Sequence, residues 1–417
     1  MKELANYCIG CKNPFCNQAC PLNNDIAGFI SLIKEDKLKE AYELLCETTV
    51  LQSICGRICP HTKQCQGKCI RGFKGEPVSI GTMEYTLGDL AIKNNWDIPT
   101  DLSQAKKEHI AIIGSGPAGL TCAAFLRKKG YQVTIYEKHN YLGGLLRHGI
   151  PEFRLPKSIL DEAINKIISL GIEVKLNTEL GKDITLSELE NTYDAIFIGI
   201  GANISSKMNI PGEELNGVYG GNELLEQNNH PNYEGKEVVV SGGGNVAMDV
   251  ARTIKKLGAE RVTVIYRRSE NEMPAETKEI AEAKEEGIEF LLQTNILEIK
   301  GQDKVEELEC IKTELIQKEG ETRLSPVNIE GSNFTIKADY IMMAVGSHPE
   351  EEITKKLNIS LDKKGRIEVN ENNQTSNEKI FAGGDISGSE ATVAFAARSG
   401  RNAANSIIEY LNNKSSK

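Results

Sequence analysis

Two segments of the chain share one pattern and decide the fold: His109-Ile110-Ala111-Ile112-Ile113-Gly114-Ser115-Gly116-Pro117-Ala118-Gly119 and Val238-Val239-Val240-Ser241-Gly242-Gly243-Gly244-Asn245-Val246-Ala247. Each segment begins as a short apolar strand, passes through a glycine-rich turn and leads into a helical run. A second strand follows each helix, at residues 133–137 and 262–266. The pattern predicts two βαβ units, and therefore two dinucleotide sites or one site and a decayed copy.

The first glycine turn has the spacing of a phosphate-binding turn. Gly114 permits the tight turn, Gly116 lets the backbone approach a pyrophosphate at the helix N-terminus, and Gly119 allows close packing of helix on strand. Glu137, at the end of the second strand, offers a carboxylate to ribose hydroxyls. The turn therefore predicts an FAD or NAD site, and a ligand-free βα turn is the alternative.

The second glycine turn differs at the position that distinguishes the two nicotinamide cofactors. Its second strand runs into Tyr266-Arg267-Arg268, where an acidic residue would be expected for NAD. Two guanidinium groups suit a 2′-phosphate, so this site predicts NADP; a solvated basic pair at a strand end is the alternative. Ala247 in place of the third glycine is an accepted variant of the motif.

A third segment completes the first site. Ile380-Phe381-Ala382-Gly383-Gly384-Asp385 predicts a strand, a glycine turn and an acid, and a helix begins near Ala391-Thr392. A helix N-terminus stabilises negative charge on a reduced flavin ring, and an aspartate at the strand end holds a ribityl hydroxyl. The alternative interpretation of this segment is an Asx turn with a helix packed behind it and no ligand.

The cysteines are concentrated in the first 69 of 417 residues, which contain nine of the eleven. They follow the patterns Cys8-x2-Cys11-x4-Cys16-x3-Cys20-Pro21 and Cys55-x3-Cys59-Pro60-x5-Cys65-x3-Cys69. A structural zinc site needs only four ligands. Eight cysteines in two groups, each containing a Cys-Pro pair, are closer to the cysteine motifs of ferredoxins. The pattern therefore favours two [4Fe–4S] clusters over zinc, with Cys20 in a different cluster from Cys8, Cys11 and Cys16.

Composition excludes several classes of protein. The formal charge of 49 − 59 = −10 argues against a nucleic-acid binder. No apolar run approaches the ~20 residues of a membrane helix, and the start of the sequence has no apolar signal core. We therefore expect a cytoplasmic protein without nucleic-acid or membrane partners. Asn24 or Asp25 is expected to cap a helix whose apolar spacing continues to Leu45, and residues 97–108 are expected to form a linker.

These motifs carry a resemblance to a known family. Residues 110–417 resemble the flavoproteins with two dinucleotide-binding domains, with Ala344-Val345-Gly346 as the return connection and Gly384-Asp385 as the flavin-ribityl motif. The whole chain resembles the small subunits of NADPH-dependent glutamate synthase and their relatives, the ferredoxin:NADP transhydrogenase large subunits and dihydropyrimidine dehydrogenases. The distinctive pieces are the interleaved cysteines, residues 143–157 and residues 242–249.

The resemblance implies an α/β fold with a helical N-terminal domain holding two [4Fe–4S] clusters, followed by two Rossmann-like domains. The implied boundaries are 1–105 for the iron–sulfur domain, 106–230 and 340–417 for the FAD domain, and 231–339 for the inserted NAD(P) domain. The implied cluster ligands are Cys8, Cys11, Cys16 and Cys69 for one cluster, and Cys20, Cys59, Cys65 and Glu84 for the other, which leaves Cys55 spare. The implied FAD contacts are Gly114, Ser115, Gly116, Pro117, Ala118, Gly119, Glu137, Gly144, Leu145, Arg154, Leu180, Gly384, Asp385 and Thr392. The implied NADP contacts are Gly242, Gly243, Gly244, Asn245, Val246, Arg267, Arg268, Ala344 and Gly346.

The expected activity follows from these cofactors. Nicotinamide gives two electrons as a hydride, clusters take one at a time and FAD does both, so electrons should pass from NADPH through FAD to the clusters. Residues 110–417 contain no CxxC motif, which argues against a disulfide reductase. No catalytic acid or base is required. The chain should be a subunit of a hetero-oligomer that feeds an FMN-containing partner or a ferredoxin-like acceptor. Glutamate synthesis from 2-oxoglutarate and glutamine or ammonia is the first expectation; pyrimidine reduction, transhydrogenation or a non-enzymatic iron–sulfur scaffold are the alternatives.

Overall fold

The computed structural model describes residues 1–101, 105–318, 320 and 323–415. The chain divides into two compact units. The first contains Met1–Arg147, Glu152–Ala202 and Pro349–Lys417, and the second contains His148–Pro151 and Asn203–His348. Residues 102–104 of the expected linker lie outside the described residues. Within the described part of the chain, no helix combines the length and the apolarity needed to cross a membrane.

The N-terminal part of the first unit is helical, as expected. Its helices are α1 Lys2–Asn6, α2 Phe15–Ala19, α3 Ile26–Lys34, α4 Leu38–Leu45, α5 Gln52–Ile58 and α6 Ile80–Lys93. Asp25 caps α3 by accepting a hydrogen bond from the N–H of Gly28 at 3.0 Å. The apolar spacing that suggested one helix up to residue 45 is interrupted, because Asp36 adopts φ +59° and the chain turns between α3 and α4.

The rest of the first unit is built on a parallel sheet. Its strands are β1 His109–Ile113, β2 Gln132–Tyr136, β3 Glu173–Lys175, β4 Ala195–Ile198 and β16 Ile380–Ala382, in the order β16-β4-β1-β2-β3. Its helices are α7 Pro117–Lys128, α8 Leu145–His148, α9 Lys157–Ile168, α10 Leu186–Thr192, α14 Glu351–Thr354 and α15 Val393–Ser415. Parallel strands place their carboxyl ends at one edge, where ligands of such sheets bind.

Helices α7 and α15 cross in close contact beside this edge. A Cβ atom at Gly400 would lie 2.1 Å from the carbonyl oxygen of Ala118, so only glycine fits in α15 at this crossing. The close approach fixes α15, which follows the last strand, against the helix that follows the first glycine turn.

The second unit contains a second parallel sheet and an antiparallel one. The parallel strands are β6 Val218–Gly220, β7 Glu237–Ser241, β8 Arg261–Tyr266, β9 Glu289–Leu292 and β14 Tyr340–Met343, in the order β6-β14-β7-β8-β9. Its helices are α11 Gly221–Gln227, α12 Asn245–Lys256 and α13 Thr277–Glu285. The antiparallel strands are β10 Thr294–Lys300, β11 Glu307–Ile316, β12 Ser325–Asn328 and β13 Phe334–Lys337, with a separate pair, β5 Ile204–Ser205 and β15 Ser347–His348.

The second unit is wider than the NAD(P) domain expected at residues 231–339. Strands β6 and β14 lie outside those limits, yet both are hydrogen-bonded members of its parallel sheet. The second glycine turn follows the central strand β7, whereas β14 pairs beside β7 and β6 forms the edge next to β14.

Candidate cofactor sites

The first glycine turn joins β1 to α7 and is closed by backbone contacts. Gly114 has φ +93°, and a Cβ there would lie 2.6 Å from the carbonyl oxygen of Gly199. A Cβ at Gly119 would lie 1.9 Å from the carbonyl oxygen of Gly114. A Cβ at Gly116, by contrast, would meet no atom within 4 Å. The turn is therefore closed towards the protein and open on the side from which a pyrophosphate approaches the N-terminus of α7.

Glu137 is buried behind this turn and holds it in shape. One carboxylate oxygen accepts hydrogen bonds from the backbone N–H of Ser115 at 3.0 Å and from its hydroxyl at 2.5 Å. The other oxygen accepts from the N–H of His139 at 3.0 Å. The Ser115 hydroxyl accepts from the N–H of Gly143 at 3.0 Å. The Glu137 carboxylate, which the sequence motif assigns to the ribose hydroxyls, thus already accepts hydrogen bonds that position the glycine turn and, through Ser115, the loop at Gly143.

Two other segments expected to bind FAD meet the same turn. A Cβ at Gly144 would lie 3.0 Å from the Cα of Gly116, and one at Gly384 would lie 3.1 Å from the Cβ of Ala118. Gly384 has φ +77°, and its N–H donates to the hydroxyl of Ser399 at 2.7 Å. The structure therefore brings the first glycine turn, the loop at residue 144 and the turn after β16 into one site.

Asp385 presents an unsatisfied buried oxygen at this site. Among the described residues, its buried Oδ1 has no hydrogen-bond partner. Burial raises the pKa of Asp385 from 3.8 to about 6. A buried acceptor without a partner is costly, and a ligand hydroxyl would satisfy it. This fits the ribityl role that the sequence predicts.

Replacing Asp385 by asparagine should stabilise the FAD-free protein at neutral pH. Because burial raises the folded-state pKa, ionisation destabilises the fold, and stability is lost as the pH rises from about 4 to 6. A shift of about two pKa units corresponds to about 3 kcal/mol at pH 7.5. Denaturant unfolding at pH 4.5 and 7.5 measures this; an advantage of Asp385→Asn that is equal at both pH values would contradict it. Asp362→Asn is the control, and it should lower the free energy of unfolding at neutral pH instead of raising it. The Arg366 guanidinium helps hold the pKa of Asp362 low despite partial burial, so the charged carboxylate stabilises the fold.

The remaining predicted FAD contacts occupy varied positions. Leu145 begins α8 and is half-buried, and Arg154 is half-buried in the segment before α9. Leu180 is 3% exposed and its side chain packs in a hydrophobic core of the first unit, so only its backbone is available to a ligand. Thr392 directly precedes α15, and its hydroxyl accepts the N–H of Phe395 at 3.5 Å.

The second glycine turn, between β7 and α12, repeats this geometry. Gly242 has φ +143°, and a Cβ there would lie 2.2 Å from the carbonyl oxygen of Ala344. A Cβ at Gly243 would lie 2.6 Å from the ring of Tyr266. At Gly244 the nearest atom to a Cβ is Cγ of Pro274, at 3.9 Å. The second turn is also closed towards the protein and open at its helix N-terminus, so it retains the shape of a dinucleotide site.

Neighbouring residues complete this turn. The side chain of Asn245 accepts the N–H of Glu276 at 2.9 Å, which fixes the first residue of α12. Val246 is 37% exposed at the same end of the helix. Gly346 follows β14 with φ +133°, and its carbonyl oxygen accepts the N–H of Ser206 at 2.9 Å.

The two arginines after β8 have different environments. Arg267 is exposed, whereas the Nε of Arg268 donates to the carbonyl oxygen of Leu324 at 3.1 Å. A third guanidinium, that of Arg323, reaches the same strand end, donating to the hydroxyl of Tyr266 at 3.3 Å and to the carbonyl oxygen of Glu272 at 2.7 Å. No sequence signal pointed to Arg323, because 57 residues separate it from Tyr266. Arg268 and Arg323 are thus engaged by protein groups, whereas Arg267 is exposed, and the 2′-phosphate role of Arg267 stays a prediction.

The cysteines assigned to the first cluster lie around one cavity. Cys8, Cys11, Cys16 and Cys69 all line the same small cavity in the N-terminal part of the chain. All four are half-buried, and burial is the main cause that raises the pKa of Cys16 to about 11. Burial therefore disfavours the thiolate form of Cys16, and a bound metal would compensate that charge.

The residues assigned to the second cluster form a buried group. Burial, followed by the charge of Glu84, raises the pKa of Cys20 to about 12, and burial and Glu84 likewise raise the pKa of Cys65. Burial raises the pKa of Glu84 to about 8, and the Nδ2 of Asn24 donates to its Oε1 at 3.3 Å. A hydrogen bond with Cys55, followed by burial, raises the pKa of Cys59. Cys55, which the resemblance left spare, therefore lies within this group.

The spacing of these groups does not suit a single zinc ion. With Zn–S bonds of 2.3 Å, a tetrahedral site holds its sulfurs about 3.8 Å apart. Among the described residues, no three ligands drawn from these cysteines and Glu84 lie within 4.8 Å of one another. A [4Fe–4S] cluster attaches each ligand to a different iron and spreads them more widely. The cysteine groups fit clusters better than zinc.

Three cations of the sheet-bearing part of the first unit bind the backbone of its helical part. Lys128 of α7 donates to the carbonyl oxygen of Cys46, and Lys166 of α9 donates to that of Trp96. Arg401 of α15 donates to the carbonyl oxygens of Leu22 at 2.8 Å and Thr48 at 2.6 Å. Sequence reasoning did not identify these residues, because single cations on helices carry no motif.

Arg401 also connects to the buried cysteine group. The hydroxyl of Thr48 donates to the Oδ1 of Asn24 at 2.7 Å, and Asn24 donates to Glu84. A short hydrogen-bonded chain thus runs from α15, whose first turn lies at the FAD turn, to the expected iron ligand Glu84.

Comparison with known proteins agrees with this arrangement. The profile of the pyridine nucleotide-disulphide oxidoreductase family matches residues 108–400, and that of the dihydropyrimidine dehydrogenase domain II, 4Fe-4S cluster, matches residues 1–96. The glutamate synthase [NADPH] small chain of Escherichia coli (strain K12) is 38% identical over 432 residues, covering 98% of this chain and 91% of that protein. The NADP(+)-dependent formate dehydrogenase subunit beta of Moorella thermoacetica is 35% identical over 427 residues, which cover 95% of this chain and 60% of that protein. The structure of Mycobacterium tuberculosis FprA in complex with NADPH superposes with a TM-score of 0.66 at 21% identity, and the superposition covers 75% of this chain and 86% of the FprA chain.

The two glycine turns on parallel sheets define a pyridine nucleotide-dependent flavoprotein oxidoreductase with an N-terminal iron–sulfur domain. The chain belongs to the pyridine nucleotide-disulphide oxidoreductase family and, over nearly its whole length, to the glutamate synthase [NADPH] small chains and their relatives. The predictions of the fold class, of an oxidoreductase, of FAD and NADPH as cofactors and of a [4Fe–4S] cluster are confirmed. The second cluster and the individual ligands stay predictions.

Proposed function

We propose that the chain is the electron-input subunit of a glutamate synthase, which oxidises NADPH and supplies electrons to an FMN-containing subunit. That partner would form glutamate from 2-oxoglutarate and glutamine or ammonia. Of the cofactors, FAD takes a hydride from NADPH and releases electrons singly, and [4Fe–4S] clusters carry them one at a time. The reducing conditions of the cytoplasm suit eleven cysteines without disulfides, so we place the protein there.

The observation that carries the proposal is the connection between the FAD turn and the buried cysteine group within one compact unit. Arg401 binds the loops beside Cys20 and is linked through Thr48 and Asn24 to Glu84. Outside the first 69 residues the only cysteines are Cys122 and Cys310, both buried and far apart in sequence. A disulfide-exchange cycle has no cysteine pair to use, so the N-terminal cysteines are the exit for the electrons.

We assign the ligands as the resemblance implies. The half-buried Cys8, Cys11, Cys16 and Cys69 hold the outer cluster. The buried Cys20, Cys59 and Cys65, with Glu84, hold the inner one. Asn24 orients the carboxylate of Glu84, and the protein around it excludes water. Cys55 remains the competing candidate for the fourth position of the inner cluster.

The chain's own residues perform the remaining tasks. The open N-termini of α7 and α12 bind the pyrophosphates of the two dinucleotides. Asp385 accepts a hydrogen bond from a hydroxyl of the flavin side chain, and Arg267 recognises the 2′-phosphate of NADPH. Hydride transfer between cofactors requires no side-chain base, so we assign none.

Anaerobic purification and cofactor analysis test the proposal. Two clusters predict about eight iron and eight sulfide per chain, and NADPH should bleach the flavin and produce reduced-cluster EPR signals. With the glutamate synthase large chain present, NADPH should support glutamate formation. Glu84→Ala should lower the iron content to about four per chain, whereas Cys55→Ala should leave it unchanged. A colourless protein that contains zinc and no sulfide would refute the proposal, and iron loss in Cys55→Ala alone would reassign the ligand.

Dihydropyrimidine dehydrogenase-type electron input is the second candidate. The match of residues 1–96 to the dihydropyrimidine dehydrogenase domain favours it. The tandem arginines after β8 and the identity of 34–38% to glutamate synthase small chains favour the first candidate. Assaying the reduced chain with each purified partner separates the two.

A further inference from the structure

Helix α15 reaches the turn after β16 and the buried cysteine group with residues that are only two positions apart. The hydroxyl of Ser399 accepts a hydrogen bond from the N–H of Gly384, in the turn expected to hold the flavin side chain, at 2.7 Å. The guanidinium of Arg401 donates to the carbonyl oxygens of Leu22 at 2.8 Å and Thr48 at 2.6 Å, in the helical part of the unit. Arg401 therefore lies between the expected flavin site and the residues assigned to the inner cluster.

The positive charge of Arg401 has no counter-ion. Arg401 is half-buried, and among the described residues its guanidinium forms no salt bridge, since its partners are two neutral carbonyl groups. The buried Arg252 of the second unit, by contrast, pairs with three glutamates. A charge removed from water without an opposite charge is unfavourable. The charge of Arg401 is therefore available to stabilise a negative group nearby.

Cys20 is the negative group within reach of Arg401. Burial and the charge of Arg398 lower the pKa of Arg401, whereas a negative Cys20 acts in the opposite direction. Burial raises the pKa of Cys20 to about 12, and backbone hydrogen bonds from Asn24 and Leu22 partly oppose this rise. Because Arg401 also binds the carbonyl oxygen of Leu22, it acts on Cys20 through its charge and through the loop that carries Leu22.

Reduction of a cluster at this position adds negative charge beside Arg401. Thiolate and carboxylate ligands already give the oxidised cluster a net negative charge, and the added electron increases it. A cation that is partly withdrawn from water is screened little, so it stabilises the reduced form more than the oxidised one. Net charge and hydrogen bonds to the sulfurs are the factors that set the reduction potential of such clusters.

We infer that Arg401 is a positioning residue that raises the reduction potential of the inner cluster and thereby favours electron transfer from the reduced flavin. The inference rests on the proposed electron-input function and names the residue that makes the step between the two cofactors favourable. In that step one electron leaves the reduced flavin and enters the cluster, and no covalent bond forms or breaks. Arg401 is neither a ligand nor a catalytic residue.

An EPR-monitored redox titration of the anaerobic holoprotein with titanium(III) citrate tests the inference. The inner-cluster signal is the one absent from Cys20→Ala. In Arg401→Gln, which keeps a hydrogen-bond donor without the charge, the ratio of reduced to oxidised inner cluster at a fixed potential should fall about 10-fold. This fall equals a shift of about 59 mV to lower potential for a one-electron couple. Arg401→Lys, which keeps the charge, should stay within about 2-fold of the wild type, as should the outer cluster in both variants.

Two other cations of the same unit provide matched controls. Lys166→Gln removes a hydrogen bond from a cation of the sheet-bearing part to a carbonyl oxygen of the helical part, at Trp96. Arg398→Gln removes an exposed charge one turn earlier on α15, where water screens it. Both should change the ratio for the inner cluster less than about 2-fold. A fall in Lys166→Gln as large as in Arg401→Gln would show a general structural effect and contradict the inference.

The remaining outcomes separate the inference from the proposed function. An unchanged inner-cluster potential in Arg401→Gln, with the iron content of the wild type, would overturn the role of Arg401 alone. A fall of about 10-fold in Arg401→Lys would assign the effect to the shape of the guanidinium and refute the role of its charge. If Arg401→Gln does not fold, the titration of Arg401→Lys decides in the same way. A wild-type inner cluster that stays oxidised in titanium(III) citrate lacks the proposed stabilisation and would also refute it. A wild-type protein without iron and sulfide would overturn the proposed function together with the inference.

Discussion

Gly116→Val should give a folded protein that no longer retains FAD. Gly116 precedes α7 with φ −67° and ψ −179°, an extended conformation that valine adopts without strain. A Cβ there meets no protein atom within 4 Å, so the side chain fills only the space through which a pyrophosphate reaches the helix N-terminus. Loss of two charge-assisted hydrogen bonds at about 2 kcal/mol each predicts about 1,000-fold weaker FAD binding. Flavin absorbance per chain and titration of the apoprotein with FAD measure it.

Two glycine variants serve as controls for this prediction. Gly119→Ala places a Cβ 1.9 Å from the carbonyl oxygen of Gly114, so it should destabilise the fold itself rather than remove the ligand alone. Gly244→Val repeats the Gly116 change in the second turn, where φ is −93° and the nearest atom is 3.9 Å away. It should keep the flavin, which dithionite still reduces, and lose bleaching by NADPH. A Gly116→Val protein with a full complement of flavin would contradict the site.

Arg267→Ala should raise the KM for NADPH by about 100-fold and the KM for NADH by less than about 3-fold. A charge-assisted hydrogen bond to the 2′-phosphate contributes about 1.5–3 kcal/mol, which corresponds to roughly 10- to 150-fold in affinity. NADH lacks that phosphate and loses no contact. Arg267 is exposed, and among the described residues its guanidinium forms no hydrogen bond or salt bridge, so the substitution should not perturb the fold.

Two other arginines test whether position matters more than charge. The Nε–H of Arg268 already donates to the carbonyl oxygen of Leu324. Arg268→Ala should therefore change the preference for NADPH less than Arg267→Ala does, and it should lower the stability of the fold through the loss of that hydrogen bond. Arg261→Ala, at the start of the same strand and 54% exposed at its side chain, should change neither KM. Equal increases for both nucleotides in Arg267→Ala would exclude the 2′-phosphate role. Steady-state kinetics with an artificial acceptor provides the measurement.

Local sequence determined most of the cofactor-binding core. The strand, glycine turn and helix at 109–128 and at 237–256 form where the pattern places them, because neighbouring residues alone set strand burial, turn conformation and helix start. The cap at Asp25 follows for the same reason. The break between α3 and α4 was missed, because apolar spacing continues across a turn that only backbone conformation reveals. Strands β6 and β14 lie beyond the expected limits of residues 231–339 yet belong to the parallel sheet of the second unit, because pairing between distant segments is set by the fold and not by local sequence.

The sequence by itself determined the chemistry of this protein: two phosphate-binding turns, a basic strand end and cysteines in ferredoxin-like spacing are local patterns whose physics needs no tertiary context. Only the tertiary structure decided how these parts serve one another. It set Asp385 beside the first turn with an unsatisfied oxygen, gave Arg268 a backbone partner while leaving Arg267 exposed, brought Arg323 to the same strand end, and linked Arg401 to Glu84. Contacts between residues tens to hundreds of positions apart depend on how the whole chain packs, and no short pattern encodes them.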